Sequence, residues 1–122
     1  VNQMISSVTS ELRDGCQALD ALLNAFPMGS MTGAPKISAM KLIENHEDFK
    51  RGLYSGSVGY FTPELNFDFN VVIRSVLYNE REQVVTFPTG SAITINSDPD
   101  KEYDECMLKA EAMRKVLLNH AK

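Results

Sequence analysis

The hydrophobic period of this chain changes twice, and that limits the folds open to it. From Leu12 to Phe26, and again from Ile37 to Ile43, apolar residues recur at every third or fourth position, from Leu53 to Phe87 they tend to alternate, and after Asp98 the wider spacing returns. The wider spacing is that of an amphipathic helix, and alternation is that of a strand with one buried face. Helices grouped before and after a block of strands imply an α+β fold, an antiparallel sheet with helices packed on it. One domain spanning 1–122 accommodates this.

Local signals place the elements. VNQMISSV partly alternates and reads as a short opening strand. In RDGCQALDALLNAF, Leu12, Cys16, Leu19, Leu23 and Phe26 mark a helix, with Asp14 and Gln17 spaced as a capping box and Pro27 as the stop. A second helix begins at APK, where Pro35 suits the first turn; Ile37, Met40 and Ile43 are its apolar side, and it fades near Asn45 and His46. LYSGSVGYF, NFDFNVVIRSVLY and QVVTF read as three strands, the last two joined by a turn over Asn79, Glu80, Arg81 and Glu82. In the middle strand Phe69, Val71, Ile73 and Leu77 face one way and Asp68, Asn70 and Arg74 the other; an antiparallel meander is the simplest joining. The last helix has Asp98 as N-cap, Pro99 at its first position, and Tyr103, Cys106, Met107, Ala110, Met113 and Leu117 as its inner stripe.

Composition excludes several functions. The formal net charge is −4 and no Lys/Arg face is clustered, so nucleic acid is not an expected partner. No apolar run reaches membrane-spanning length, and the first residues lack a secretion signal, so a cytoplasmic location is expected. Cys16 and Cys106 make neither a disulfide framework nor a zinc site and read as small buried apolar residues. Val1 is not a methionine and the chain opens directly into a strand-like segment, so a fragment of a longer protein is expected.

Four groups of residues have chemical potential. Glu102, Glu105 and Lys109 share one stripe of the last helix; two carboxylates so placed suit a hard divalent ion, but spacing alone favours a solvated helix face. Arg74, in mid-strand, could clamp a carboxylate in bidentate fashion or bridge to Asp68. Gly90, Ser91 and Ala92 are small enough to bring backbone N–H groups to an anion, or to form a bulge. FPMGSMTGAPK, residues 26–36, is a Gly-, Pro- and hydroxyl-rich loop ending where a helix starts; it is either a tight connection or a ligand-lining loop. His46 and His120 have no ligand-like spacing and read as surface residues.

In this order, FPMGSMTGAPK, RGLYSGSVGYF, NVVIRSV and EYDECMLKAEA resemble the C-terminal part of the chorismate-utilising enzymes. That family includes anthranilate synthase component I, aminodeoxychorismate synthase component I, and the isochorismate and salicylate synthases. The resemblance covers nearly the whole chain. The form GSMTGAPK is most similar to the aminodeoxychorismate synthases, with the anthranilate synthases close behind.

The resemblance implies a larger chorismate-binding fold of which this chain is the C-terminal part, and a set of roles. Tyr54 and Arg74 would face the pyruvyl carboxylate of chorismate, and Gly90, Ser91 and Ala92 would offer backbone contacts. Glu102 and Glu105 would hold Mg2+ against the ring carboxylate, Lys109 would meet a substrate carboxylate, and Thr32 would lie at the pocket edge. The general acid–base residues of the family lie upstream of the segment that this chain resembles, so no catalytic residue is assigned here. Gln3 stands where the family often has histidine, and Ser91 and Ala92 replace two glycines, narrowing the pocket. The implied activity is amination of chorismate at C4 with ammonia from a glutamine amidotransferase subunit, for para-aminobenzoate and folate synthesis. Amination at C2, as in anthranilate synthases, and a non-catalytic stand-alone binding module are the alternatives. A fragment of a larger sheet, inert alone, should also self-associate through uncovered edges and apolar surface.

Overall fold

A tight turn at Arg13–Cys16, closed by the Cys16 N–H donating to the Arg13 carbonyl at 3.0 Å, delays the first helix. Gly15 there has φ +82°, a conformation that glycine adopts without strain. The helix, α1, is Ala18–Ala25, so Leu12 and Cys16 precede it, and the capping pair is Gln17 with Asp20 rather than Asp14 with Gln17. Asp20 accepts the Gln17 backbone N–H at 2.8 Å. The computed structural model describes residues 6–120, with side chains to residue 119. Most of the expected opening strand, and Gln3 with it, lies outside the described residues, as does the side chain of His120.

The loop after α1 is itself structured. Gly29–Thr32 form a single turn, α2, and Lys36–His46 form α3. Pro35 is the N-cap of α3, one position before the expected first turn, and its carbonyl accepts the Ala39 N–H at 3.0 Å. Gly33, at φ +139°, lets α2 fold onto α3: a Cβ there would sit 2.9 Å from Ala39 Cβ. Lys36 Nζ donates to the Ala25 carbonyl at 3.3 Å, meeting the negative end of α1.

Four strands follow: β1 (Ser57–Phe61), β2 (Phe67–Val71), β3 (Leu77–Asn79) and β4 (Val84–Thr86). They form two two-stranded sheets, β1 with β2 and β3 with β4, in place of the single meander. The long middle strand breaks because Ile73 N–H turns back to the Val71 carbonyl at 3.0 Å and Ser75 Oγ donates to the Ile73 carbonyl at 2.9 Å. Arg74, between them, has φ +51° and is exposed, so it stands on a bend and not in mid-strand. The β3–β4 pair is antiparallel, Tyr78 opposite Val85, and its turn is held by Glu82 N–H donating to Asn79 Oδ1 at 3.2 Å.

The last helix, α4, is Pro99–His120, capped by Asp98, whose Oδ1 accepts the Asp100 N–H at 3.1 Å. Its half-buried face carries Glu102, Cys106, Lys109, Ala110, Met113 and Leu117, whereas Tyr103 and Met107 are exposed. The inner face is thus rotated toward the charged stripe. Cys16 is exposed and Cys106 half-buried, so neither is a core thiol.

The chain is α+β. Internal contacts divide it into two units, Val1–Glu47 with Gly59–Asp68, and Asp48–Val58 with Phe69–Lys122. Burial is sparse: among the described residues Val72 is the buried hydrophobic and Ser55 the buried polar side chain. No helix among them is long and apolar enough to cross a membrane.

Candidate functional site

Six of the residues singled out in the sequence meet in the second unit. The loop after β4, Phe87–Ser91, is half-buried and runs against α4. It is tied there three times. Thr89 Oγ1 donates to the Cys106 carbonyl at 3.2 Å. Lys109 Nζ donates to the Gly90 carbonyl at 2.9 Å. Ser91 Oγ donates to Glu102 Oε2.

Helical spacing explains why one loop can reach all three. Glu102, Cys106 and Lys109 stand at i, i+4 and i+7 and so line one face. Lys109 Nζ also lies 2.6 Å from Glu105 Oε1, four residues before it. The hydrogen bond and charge of Lys109 hold the Glu105 carboxyl below its ordinary value, and the nearby Ser91 hydroxyl acts weakly in the same direction. The two carboxylates therefore share a neighbour, the Ser91 hydroxyl.

Tyr54 closes the other side of the loop. It lies on a turn before β1, with its N–H donating to the Arg51 carbonyl at 3.1 Å, and is half-buried. Its hydroxyl is set against Gly90, where an added Cβ would be 2.6 Å from Oη. Only glycine leaves this space open. Arg51 Nη1 donates to the buried Ser55 Oγ at 3.1 Å, and Ser55 N–H to the Val72 carbonyl at 3.0 Å, which fixes the turn.

Tyr54, Gly90, Ser91, Glu102, Glu105 and Lys109 are thus brought together. Ala92 is exposed at the end of the loop, and its carbonyl accepts Ser97 Oγ at 3.4 Å. Arg74 belongs to the same unit, where it is exposed and makes no ion pair among the described residues. Thr32 belongs to the other unit, where Oγ1 donates to the Met28 carbonyl at 3.0 Å. Sequence reasoning missed Thr89 and Arg51, and assigned Ser91 backbone contacts alone. A hydroxyl in a loop carries no periodicity that would have singled out its partner.

Glu102 and Glu105 supply oxygen donors only, one helical turn apart, and Glu105 is half exposed. This suits Mg2+, which takes one or two protein carboxylates and fills its other positions with ligand and water oxygens. Among the described residues no three His, Cys, Asp or Glu side chains converge, so such an ion would depend on those outside oxygens.

Comparison with known proteins gives the family. The chain is 42% identical over 117 residues (96% of its length) to anthranilate synthase component 1 of Aquifex aeolicus, covering 23% of that protein. It is 42% identical over 117 residues to a probable chloroplastic aminodeoxychorismate synthase of Oryza sativa subsp. japonica, covering 13% of it. It is 39% identical over 117 residues to aminodeoxychorismate synthase component 1 of Bacillus subtilis, covering 24% of it. The chain therefore spans about a quarter or less of the length of these relatives. The chorismate binding enzyme family matches residues 1–115, and the chain belongs to that family.

Proposed function

We propose that this chain supplies the carboxylate-binding wall of a chorismate-utilising active site, in an enzyme of the aminodeoxychorismate synthase type. That enzyme exchanges the 4-hydroxyl of chorismate for an amino group, using ammonia from a glutamine amidotransferase subunit. The observation that supports it is the loop at Gly90 and Ser91, which ties Tyr54 and Lys109 to the carboxylate pair Glu102 and Glu105.

Chorismate carries two carboxylates, and a chain of net charge −4 must meet them with localised positive groups. Lys109 offers an ammonium, Tyr54 a hydroxyl donor, and the Gly90–Ala92 backbone its N–H groups. Arg74, exposed on its bend, is a guanidinium available to the pyruvyl carboxylate. Glu102 and Glu105 would hold Mg2+ at the ring carboxylate, where the ion supplies charge neutralisation and polarises the substrate. Binding at both ends orients the ring for displacement at C4. The resemblance assigns the acid–base groups to segments that this chain does not match, so the chain alone is expected to be inert.

An anthranilate synthase reading, with amination at C2 and loss of pyruvate, uses the same wall. It has the same support from relatives, since proteins of both names match at 42% identity. Product analysis of the enzyme that contains this chain separates them.

The wall itself is tested by titrating the 15N-labelled 122-residue chain with chorismate and Mg2+. Shifts confined to Tyr54, Arg74, Gly90–Ala92 and α4 from Glu102 to Lys109, and needing both ligands, are expected. Shifts centred elsewhere, or none, would overturn the proposal. Aminodeoxychorismate formed by the chain alone with ammonia and Mg2+ would overturn its inertness.

A further inference from the structure

We infer that Ser91 is a positioning residue for the carboxylate pair: its hydroxyl holds Glu102 in place beside the Glu105 that Lys109 holds, and so sets the divalent-cation affinity of this end of the site. The inference rests on the reading that this pair holds Mg2+.

Two carboxylates one helical turn apart repel each other, and each sits at the end of a flexible side chain. Lys109 of the same helix holds Glu105 at 2.6 Å, whereas among the described residues of the helix none is bonded to the Glu102 carboxylate. The Ser91 hydroxyl fixes Glu102, by donating to its Oε2. A hydroxyl has one proton, and Glu102 receives it, while Lys109 holds Glu105. It is held still for this task. Its neighbours Gly90 and Thr89 are tied to Lys109 and to the Cys106 carbonyl, on the same helix as the carboxylates. Glycine at position 91 would keep the loop and lose the hydroxyl. The side chain of Ser91 therefore has a use of its own, beyond the backbone contacts of the loop. A group of this kind, bonded to a ligand and not to the metal, typically changes metal affinity by about 10–100-fold.

The test compares the 122-residue chain with S91A, S91G and S91T in two measurements. The first needs no metal: side-chain NMR couplings of Glu102 should report a single rotamer in the wild type and in S91T, and averaging in S91A and S91G. Amide shifts of Thr89, Gly90 and α4 control for folding. Unchanged Glu102 couplings in S91A would overturn the positioning role whether or not metal binds. The second is calorimetric titration with MgCl2, in which S91A and S91G should bind about 10–100-fold more weakly and S91T near the wild-type value. If the wild type binds no Mg2+, the metal reading fails, and the couplings still decide whether Ser91 positions Glu102. Equal Mg2+ affinity of S91A and wild type overturns the inference.

Discussion

Gly90→Ala should displace the hydroxyl of Tyr54 and do little else. The added Cβ would lie 2.6 Å from Tyr54 Oη and 3.7 Å from Cζ, while ordinary contact begins near 3.4 Å, so the gap must open by about 0.8 Å. The loop cannot easily supply it, because Thr89, Gly90 and Ser91 are all bonded to α4. Tyr54 can, by a ring swing of roughly ten degrees, well inside the ~30° that costs about 0.5–1.5 kcal/mol. The fold should therefore tolerate the change. What suffers is any hydrogen bond aimed by Oη, worth about 0.5–1.5 kcal/mol, or roughly 2- to 13-fold in chorismate affinity. Tyr54→Phe should lose a similar amount. In the double variant the clash is gone, since the remaining Cζ contact at 3.7 Å is an ordinary one, so the second substitution should add almost nothing. Chorismate titrations of the four proteins by NMR, with Tyr54 ring shifts as the structural reporter, measure this cycle. Simple additivity of the two losses would refute the assigned contact.

The pH dependence of the site follows from Glu105. Lys109 depresses its carboxyl, so the ion pair is present above the ordinary glutamate range and is lost as pH falls through the depressed value. A 13C titration of Glu105 should show a midpoint below that of free glutamate, which Lys109→Met raises; an unmoved midpoint in that variant refutes the cause. Gly33→Ala should loosen the α2–α3 turn by about 1–3 kcal/mol, because it combines φ +139° with a Cβ only 2.9 Å from Ala39 Cβ. Unchanged hydrogen-exchange protection across α3 would contradict that. Leu19, Leu23 and Ile37 in the first unit, and Ile95, Leu108 and Val116 in the second, are exposed, so the isolated chain should self-associate. Sedimentation showing only monomer at high concentration would refute this.

Elements with local punctuation were legible in the sequence. Asp98 and Pro99 fix the start of α4 through bonds that span two or three residues, and α3 fades at His46 as its spacing predicts. Elements that depend on backbone turns were not. Ile73 and Leu77 keep the alternating pattern through Arg74, yet two short-range bonds bend the chain there and divide the sheet. The inner face of α4 was misread at Tyr103 and Met107 because hydrophobicity was weighed above contact: the loop at Thr89–Ser91 selects the face with Glu102, Cys106 and Lys109. The site was visible as separate motifs, and their joining was not. Gly90 lies 36 positions after Tyr54 and 19 before Lys109 in the chain, distances no periodic rule spans.

The hydrogen-bonding capacity of the network bears on what it can receive. An ammonium has three donors, and Lys109 commits one to the Gly90 carbonyl and one to Glu105, leaving one. Two carboxylates accept at about eight positions, and among the described residues only the Ser91 hydroxyl and Lys109 draw on them. The unmet capacity is therefore lopsided: one donor toward an anion, many acceptors toward a cation. A lone anion would find this wall mostly repulsive, and a lone monovalent cation would satisfy little of it. A carboxylate arriving with a hard divalent ion meets both sides at once, placing its own oxygen on the free N–H and the ion on the acids. That arithmetic favours a metal-escorted dianion over a simple anion as the occupant, and it would fail if Glu102→Gln, which removes acceptor charge, strengthened chorismate binding in the presence of Mg2+.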